Sequence, residues 1–390
     1  MSDAFTETTH ESWFSRIGNS LKSLLIGGVL FLVSFPVLFW NEGRAVKTAK
    51  SLNEGEAITV SIPNDTIDSN NEGKLVHTTG MADSQETLRD ELFGIEVVGL
   101  RLSRISEMYQ WNETKHTKSK KKLGGGKKRT TTYEYDKIWS ATLIDSNDFK
   151  RTDGHANPSA MPIQGHSEQA KSVTLGKFQL PQNMVSQVSN DQSVSISEDN
   201  IPEEFADRMQ LKNGELYLGT TPASPEIGDV RVRFATTPAT EISVVAQQTK
   251  QTFRPYQTQA SRALSMLEMG NHSVQEMFQH ARDANSSLTW ILRLVGAGMM
   301  LGGLMMLMAP LAVLGDLIPF VGTIISGGSF IIAAVITLIL ASLTIGVAWL
   351  LYRPLIAVPL FALAIAGIVF LFMNRKTEAP PEVLSMDDVV

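Results

Sequence analysis

Residues 294–315 read LVGAGMMLGGLMMLMAPLAVLG, twenty-two residues without a charge between Arg293 and Asp316. About 20 apolar residues cross a bilayer as a helix, and a charge at the centre of such a helix costs about 3 kcal/mol. The stretch therefore reads as a membrane span. Three more runs pass the same test: 19 uncharged residues between Lys22 and Glu42, 21 between Arg353 and Arg375, and 36 between Asp316 and Arg353. The last is too long for one upright helix. Its first part carries Pro319, Gly322, Gly327 and Gly328, and reads as an interfacial lead into a span that begins near residue 330.

Four of the six tryptophans (Trp13, Trp40, Trp290 and Trp349) fall at the ends of these runs, as an aromatic belt at a membrane–water interface requires. The segment before the first run places Trp13, Phe14, Ile17 and Leu21 at helical spacing behind Ser12, a potential cap. It reads as an amphipathic helix on the membrane surface. No small-x-small cleavage site follows Trp40, so the first run reads as an anchor and not a signal peptide. Basic residues are nearly balanced between the two sides, so the positive-inside count does not set the orientation.

Composition fits one membrane part and one water-facing part. The 390 residues carry a net charge of −6, and charged residues make up 19%, below the roughly 25% of a soluble domain. That balance argues against a nucleic-acid partner. The chain has 0 cysteines, which excludes disulfides, thiolate metal sites and a cysteine nucleophile.

Residues 41–287 are patterned as a domain. Ile58, Val60 and Ile62 alternate, as do Val98, Leu100 and Leu102, then Tyr109 and Trp111. Tyr133 and Tyr135 precede Trp139, Ala141 and Leu143, with a bulge expected between the two groups. Val230, Val232 and Phe234 are followed by Ile242, Val244 and Ala246. Period-two alternation predicts half-buried antiparallel strands. Short helices are predicted from Asp83 to Gly94 and from Pro202 through Phe205 and Met209. Ser273 with Glu276 forms a capping box that opens a helix feeding the second span. Gly73–Gly80 and Gly214–Thr221 look alike, which admits an internal duplication.

Residues 115–129 hold eight basic residues and no acidic one. Lys120, Lys121, Lys122, Lys127, Lys128 and Arg129 are candidates for contact with an anionic surface; the plainer reading is a solvated hairpin tip bent at Gly124–Gly126. Tyr109, Trp111, Tyr133, Tyr135 and Trp139 are candidates for a partner surface, against the more ordinary reading as cross-strand core pairs. Gly298 and Gly302 give the Gly-x-x-x-Gly spacing of a helix-packing face. No catalytic, cofactor or metal motif is present: His272 and His280 are eight residues apart, and neither His-Glu-x-x-His nor Gly-x-Ser-x-Gly occurs.

Several short motifs, in order along the chain, resemble the transmembrane protein 43 (LUMA) family. They are Asn41-Glu42-Gly43-Arg44-Ala45, Glu107-Met108-Tyr109-Gln110-Trp111, Asn157-Pro158-Ser159-Ala160-Met161, Gly228-Asp229-Val230-Arg231-Val232, and Trp349-Leu350 followed by Tyr352-Arg353-Pro354-Leu355. The basic tip at 115–129 is no part of that pattern. The resemblance implies an α+β membrane protein with one amino-terminal and three carboxy-terminal spans, and a large extracytoplasmic domain between the first and second. It gives 1–23 as a cytoplasmic amphipathic segment, 24–40 as the first span and 41–287 as a β-rich periplasmic or lumenal domain. The remaining pieces are spans at 290–314, 317–351 (with its interfacial lead) and 354–373, and a cytoplasmic tail at 374–390.

A bacterial member would sit in the inner membrane. A eukaryotic one would sit in the endoplasmic reticulum and inner nuclear membrane, where Asn64, Asn112, Asn271 and Asn285 would begin glycosylation sequons. The expected function is a non-enzymatic scaffold without a cofactor, which self-associates and organises other membrane proteins among membrane lipids. The alternative is a lipid- or peptide-processing enzyme with an unfamiliar site.

Overall fold

A computed structural model describes residues 3–317 and 319–374; the tail from 375 onward lies outside them. The described chain divides into two compact units: residues 3–20, 47–285 and 310–325 form one, and residues 21–46, 286–309 and 326–374 the other.

The first unit is β-rich. Strands β1 (Asp3–Glu11), β2 (Leu75–Asp83), β3 (Arg101–Lys121) and β4 (Lys127–Ser140) are followed by β5 (Met209–Lys212), β6 (Glu215–Leu218) and β7 (Val230–Thr237). Two more, β8 (Thr240–Thr249) and β9 (Met266–Met269), complete the main set. An eight-stranded sheet runs β1-β4-β3-β7-β6-β5, with short strands pairing at β3 and β7. In the second sheet β8 pairs antiparallel with both β2 and β9.

Alternation in the sequence explains which faces are buried. Val230, Val232 and Phe234 of β7 point into one core with Leu102 and Met108 of β3, and with Ile242, Val244 and Ala246 of β8. The intervening Val245 lies in a second cluster with Leu52, Leu264, Met277 and Phe278. β8 is thus covered on both faces, which is why it reads as a nearly continuous apolar run. The Ser273–Glu276 capping box is present as expected.

Several local expectations fail for identifiable reasons. Asp83–Gly94 is no helix: Thr87–Asp90 and Ile95–Val98 form an antiparallel hairpin, and Gly94 sits at φ 61° in its turn. Pro202 opens only the 3-10 turn Glu203–Phe205, and Met209 begins β5. The β3–β4 register is one-to-one from Met108↔Ser140 to Lys121↔Lys127, so there is no bulge at Tyr135. The similar stretches at 73–80 and 214–221 enter different sheets, as β2 and β6.

The amino-terminal segment departs most from the sequence reading. Asp3–Glu11 is a strand with nine residues in register with β4, from Asp3↔Tyr135 to Glu11↔Lys127. Residues 3–11 and 127–135 therefore lie side by side in one sheet, a pairing the sequence reading, with 1–23 and 41–287 as separate pieces, did not contain. The helix predicted behind Ser12 does begin there. The Ser12 side chain accepts from the Ser15 amide, but the helix runs on without a break as α1 (Trp13–Ile58).

The second unit is helical: the middle of α1 with parts of α2 (Val274–Gly315), α3 (Pro319–Tyr352) and α4 (Pro354–Asn374). By length and composition α1, α2 and residues 324–352 of α3 can cross a membrane, and α4 adds a shorter apolar stretch at 354–367. The interfacial lead expected at 317–329 is, from Pro319 onward, part of continuous α3. Close packing of α1 on α2 is set by glycine: a Cβ on Gly303 would lie 2.7 Å from the Phe31 amide nitrogen and 2.8 Å from the Gly27 carbonyl oxygen. Only hydrogen fits there.

Candidate functional site

In the helical unit, charged and aromatic groups gather where the apolar runs end. Glu42, at the end of the first uncharged run, is fully buried. Its two oxygens accept from Arg293 Nε at 2.6 Å and Nη2 at 2.9 Å, a two-point fork, and Trp349 Nε1 donates to it at 2.8 Å. The guanidinium lies over the rings of Trp290 and Trp349. Beside it on α1, the Arg44 guanidinium donates to Asn41 Oδ1 at 3.2 Å and to Thr289 Oγ1 at 2.9 Å, and the Asn41 amide donates to the Thr289 carbonyl. The Tyr352 ring occupies the space a Cβ on Gly43 would need. The four residues 41–44 thus each have a packing or charge role among α1, α2 and α3. Removing one partner from a buried pair of this kind would leave an uncompensated charge.

In the β-rich unit, β1, β4 and β3 form a ribbon with aromatic residues along one face. Tyr109 faces Trp139 across the strands with ring centroids 5.1 Å apart, and Arg231 lies over Trp139. Tyr133 and Tyr135 are buried. His155 covers the ribbon from the following loop, stacked 4.0 Å from Tyr135 and edge-on 4.7 Å from Trp111. It is 1% exposed, and its Nε2 pairs with Asp3 of β1 at 3.0 Å. The Tyr135 hydroxyl donates to Glu113 at 2.8 Å. Burial first, and that bond second, push its pKa up to about 12. Of these five aromatic residues Tyr133 and Tyr135 are buried, whereas Tyr109, Trp111 and Trp139 keep part of their surface exposed.

At the ribbon's tip the chain turns through Gly124 and Gly125, both at positive φ (81° and 78°). Lys121 reaches Asp316, in the turn after α2, at 2.6 Å, and Arg16 pairs with the same carboxylate. Asp316 is 1% exposed, and the Trp13 indole donates to the nearby Val313 carbonyl. Lys120, Lys122, Lys128 and Arg129 remain exposed, while Lys127 is partly covered. The basic run is thus divided: Lys121 pairs with a buried acid, and six cations, Lys115 and Lys118 among them, are exposed. The sequence reading missed Asp316, although its position between two uncharged runs is the sequence signal for it.

Of the two helix-packing candidates, Gly302 touches Leu30 of α1, whereas nothing lies within 4 Å of a Cβ on Gly298. Among the described clefts, one lined by Asp207, Arg208, Gln210 and Asp229 has polar walls. Its Asp229 is engaged by the Tyr217 hydroxyl and by the Glu226 amide.

Three long apolar helices and a large β-rich middle domain define an integral membrane protein of α+β class. A family profile described as transmembrane protein 43 matches residues 108–354. Transmembrane protein 43 of Mus musculus is 33% identical, over 97% of this chain and 96% of its own length. The Homo sapiens protein is likewise 33% identical, over 97% and 95%, and the Drosophila melanogaster homolog is 29% identical, over 85% and 89%. The chain belongs to the transmembrane protein 43 family. No solved structure matches it.

Proposed function

We propose that this chain is a non-enzymatic membrane scaffold that self-associates through its helices and holds partner membrane proteins, with its β-rich domain on the periplasmic or lumenal side. The carrying observation is a division among the helix glycines. Gly27, Gly43, Gly296 and Gly303 are each filled by a neighbour within the chain, but among the described residues Gly298, Gly327 and Gly328, like Gly18 and Gly367, meet nothing within 4 Å. Glycine inside a helix costs about 1 kcal/mol relative to alanine. In membrane helices it allows close backbone approach. Glycines with no use inside the chain are explained by use between chains, and exposed Ile291, Leu294 and Val295 flank Gly298 with apolar surface.

Native mass of the full chain in lipid nanodiscs tests the reading. A discrete oligomer that Gly298→Val reduces to monomer, while Gly302→Ala leaves it whole, is the expected result. A single-chain mass for the unaltered protein would overturn it.

A further inference from the structure

We propose that Glu268, His272 and His280 form a binding site for a divalent zinc-type cation in the β-rich unit. One ligand atom from each of the three lies within 4.8 Å of the others. Imidazole and carboxylate are the donors that zinc takes when thiolates are absent, and three such side chains leave a fourth position for water. The seven residues between His272 and His280 hide the site from a spacing argument. It becomes visible only when β9 brings Glu268 alongside.

The backbone holds these donors in place before any ion arrives. Glu268 lies on β9, paired with Ser243 of β8. Gly270, at φ 90°, then turns the chain, and its amide donates to the Glu241 carbonyl at 2.6 Å. His272 is fixed at both backbone ends: its amide donates to Ser243 Oγ at 2.8 Å, and its carbonyl accepts from His77 Nε2 at 2.9 Å. Ser273 and Glu276 cap α2 immediately afterwards, which sets the direction of the helix and places His280 over the turn. The rings of His272 and His280 are 5.6 Å apart.

The ring nitrogens are already sorted. His272 Nε2 lies 3.0 Å from the Met269 carbonyl; a carbonyl only accepts, so this nitrogen carries the proton and Nδ1 keeps its lone pair. A backbone carbonyl on the far nitrogen is the usual outer partner of a metal-bound imidazole. His280 Nδ1 and Glu268 Oε2 are 2.9 Å apart, against about 3.3 Å between neighbouring ligands around tetrahedral zinc. A small opening of that pair and a turn of the His272 ring admit the ion. The positive end of α2 opposes a cation. Glu268 and Glu276, with Asp283 further along the helix, supply the countering charge.

The test titrates Zn²⁺ into the full chain in nanodiscs against a chromophoric chelator. One equivalent per chain is expected, lost in His272→Ala and in His280→Ala and weakened in Glu268→Gln. His116→Ala, which alters an exposed histidine on β3, should still bind one equivalent. His280 is half exposed, so His280→Ala should keep the metal-free melting temperature of the parent, which separates loss of a ligand from loss of fold. Co²⁺ should give the intense visible bands of a four-coordinate site in the parent and not in His280→Ala. Binding only in large excess over protein, or one equivalent retained by both histidine variants, would overturn the proposal.

Discussion

Glu42 is fully buried and has three donors on two oxygens. Removing the charge with Glu42→Gln leaves Arg293 without its counter-ion in a site only slightly exposed, which costs about 3–5 kcal/mol. The paired change Glu42→Gln with Arg293→Leu should recover much of that loss, because the expensive state is the unpaired charge. Thermal melting in detergent for the two singles and the double gives the coupling directly; additive losses would show that the pair is not the unit. Tyr135 offers a residue-scale test outside the membrane helices. A free tyrosine ionises near pH 10, while Tyr135 is held up to about 12. An unfolded chain therefore releases a proton at lower pH than the folded one. The stabilisation is fully present below about pH 10 and is lost as pH rises through about 12. In Tyr135→Phe this part of the alkaline loss should vanish from a plot of urea midpoint against pH, and unchanged slopes would contradict the assignment.

Among the elements, β1 is the strand whose position was least legible. Its residues are largely polar and mostly exposed, and its partner lies more than 110 positions away in β4. No local pattern reports a pairing of that range. Since the chain has 0 cysteines, Thr8→Cys with Thr130→Cys, opposite each other in register, should form a disulfide on mild oxidation. Thr8→Cys paired with a cysteine at Lys137 should not. If the first pair stays reduced while both sites are accessible, β1 is not docked. The strands that were read correctly share one property: residues such as Val230, Val232 and Phe234 alternate because one face meets a core. The 83–94 stretch misled because Asp83 and Glu86 imitate a capping box. There Glu86 instead accepts from the amides of Lys171 and Ser172, a long-range contact that competes with the local helix and wins. The Asn41–Arg44 motif was legible as a family mark, but its pairing with Arg293 and Trp349 depends on how three helices meet, which no single stretch encodes.

At the scale of the molecule, two cores of different chemistry sit in one chain. The β-rich unit is held by buried Leu, Val and Phe in two clusters, and in water this burial is driven by the hydrophobic effect. The helical unit has a small cluster around Leu38, Met300 and Ala341, and much of its apolar surface is exposed. In lipid or detergent that surface is already solvated, so packing and polar contacts such as Glu42–Arg293 hold the helices together. Urea weakens the first kind of core strongly, so unfolding should not be two-state. In micelles the β signal in far-UV circular dichroism should be lost at lower urea than the helical signal. Phe234→Ala, which empties a fully buried site against Phe93, should shift the first transition by about 3–5 kcal/mol and leave the second in place. Gly303→Val, which forces a side chain against the Phe31 backbone, should do the reverse. One coincident transition moved equally by both substitutions would mean that continuous α1, which contributes residues to both units, makes them fold as a single cooperative body.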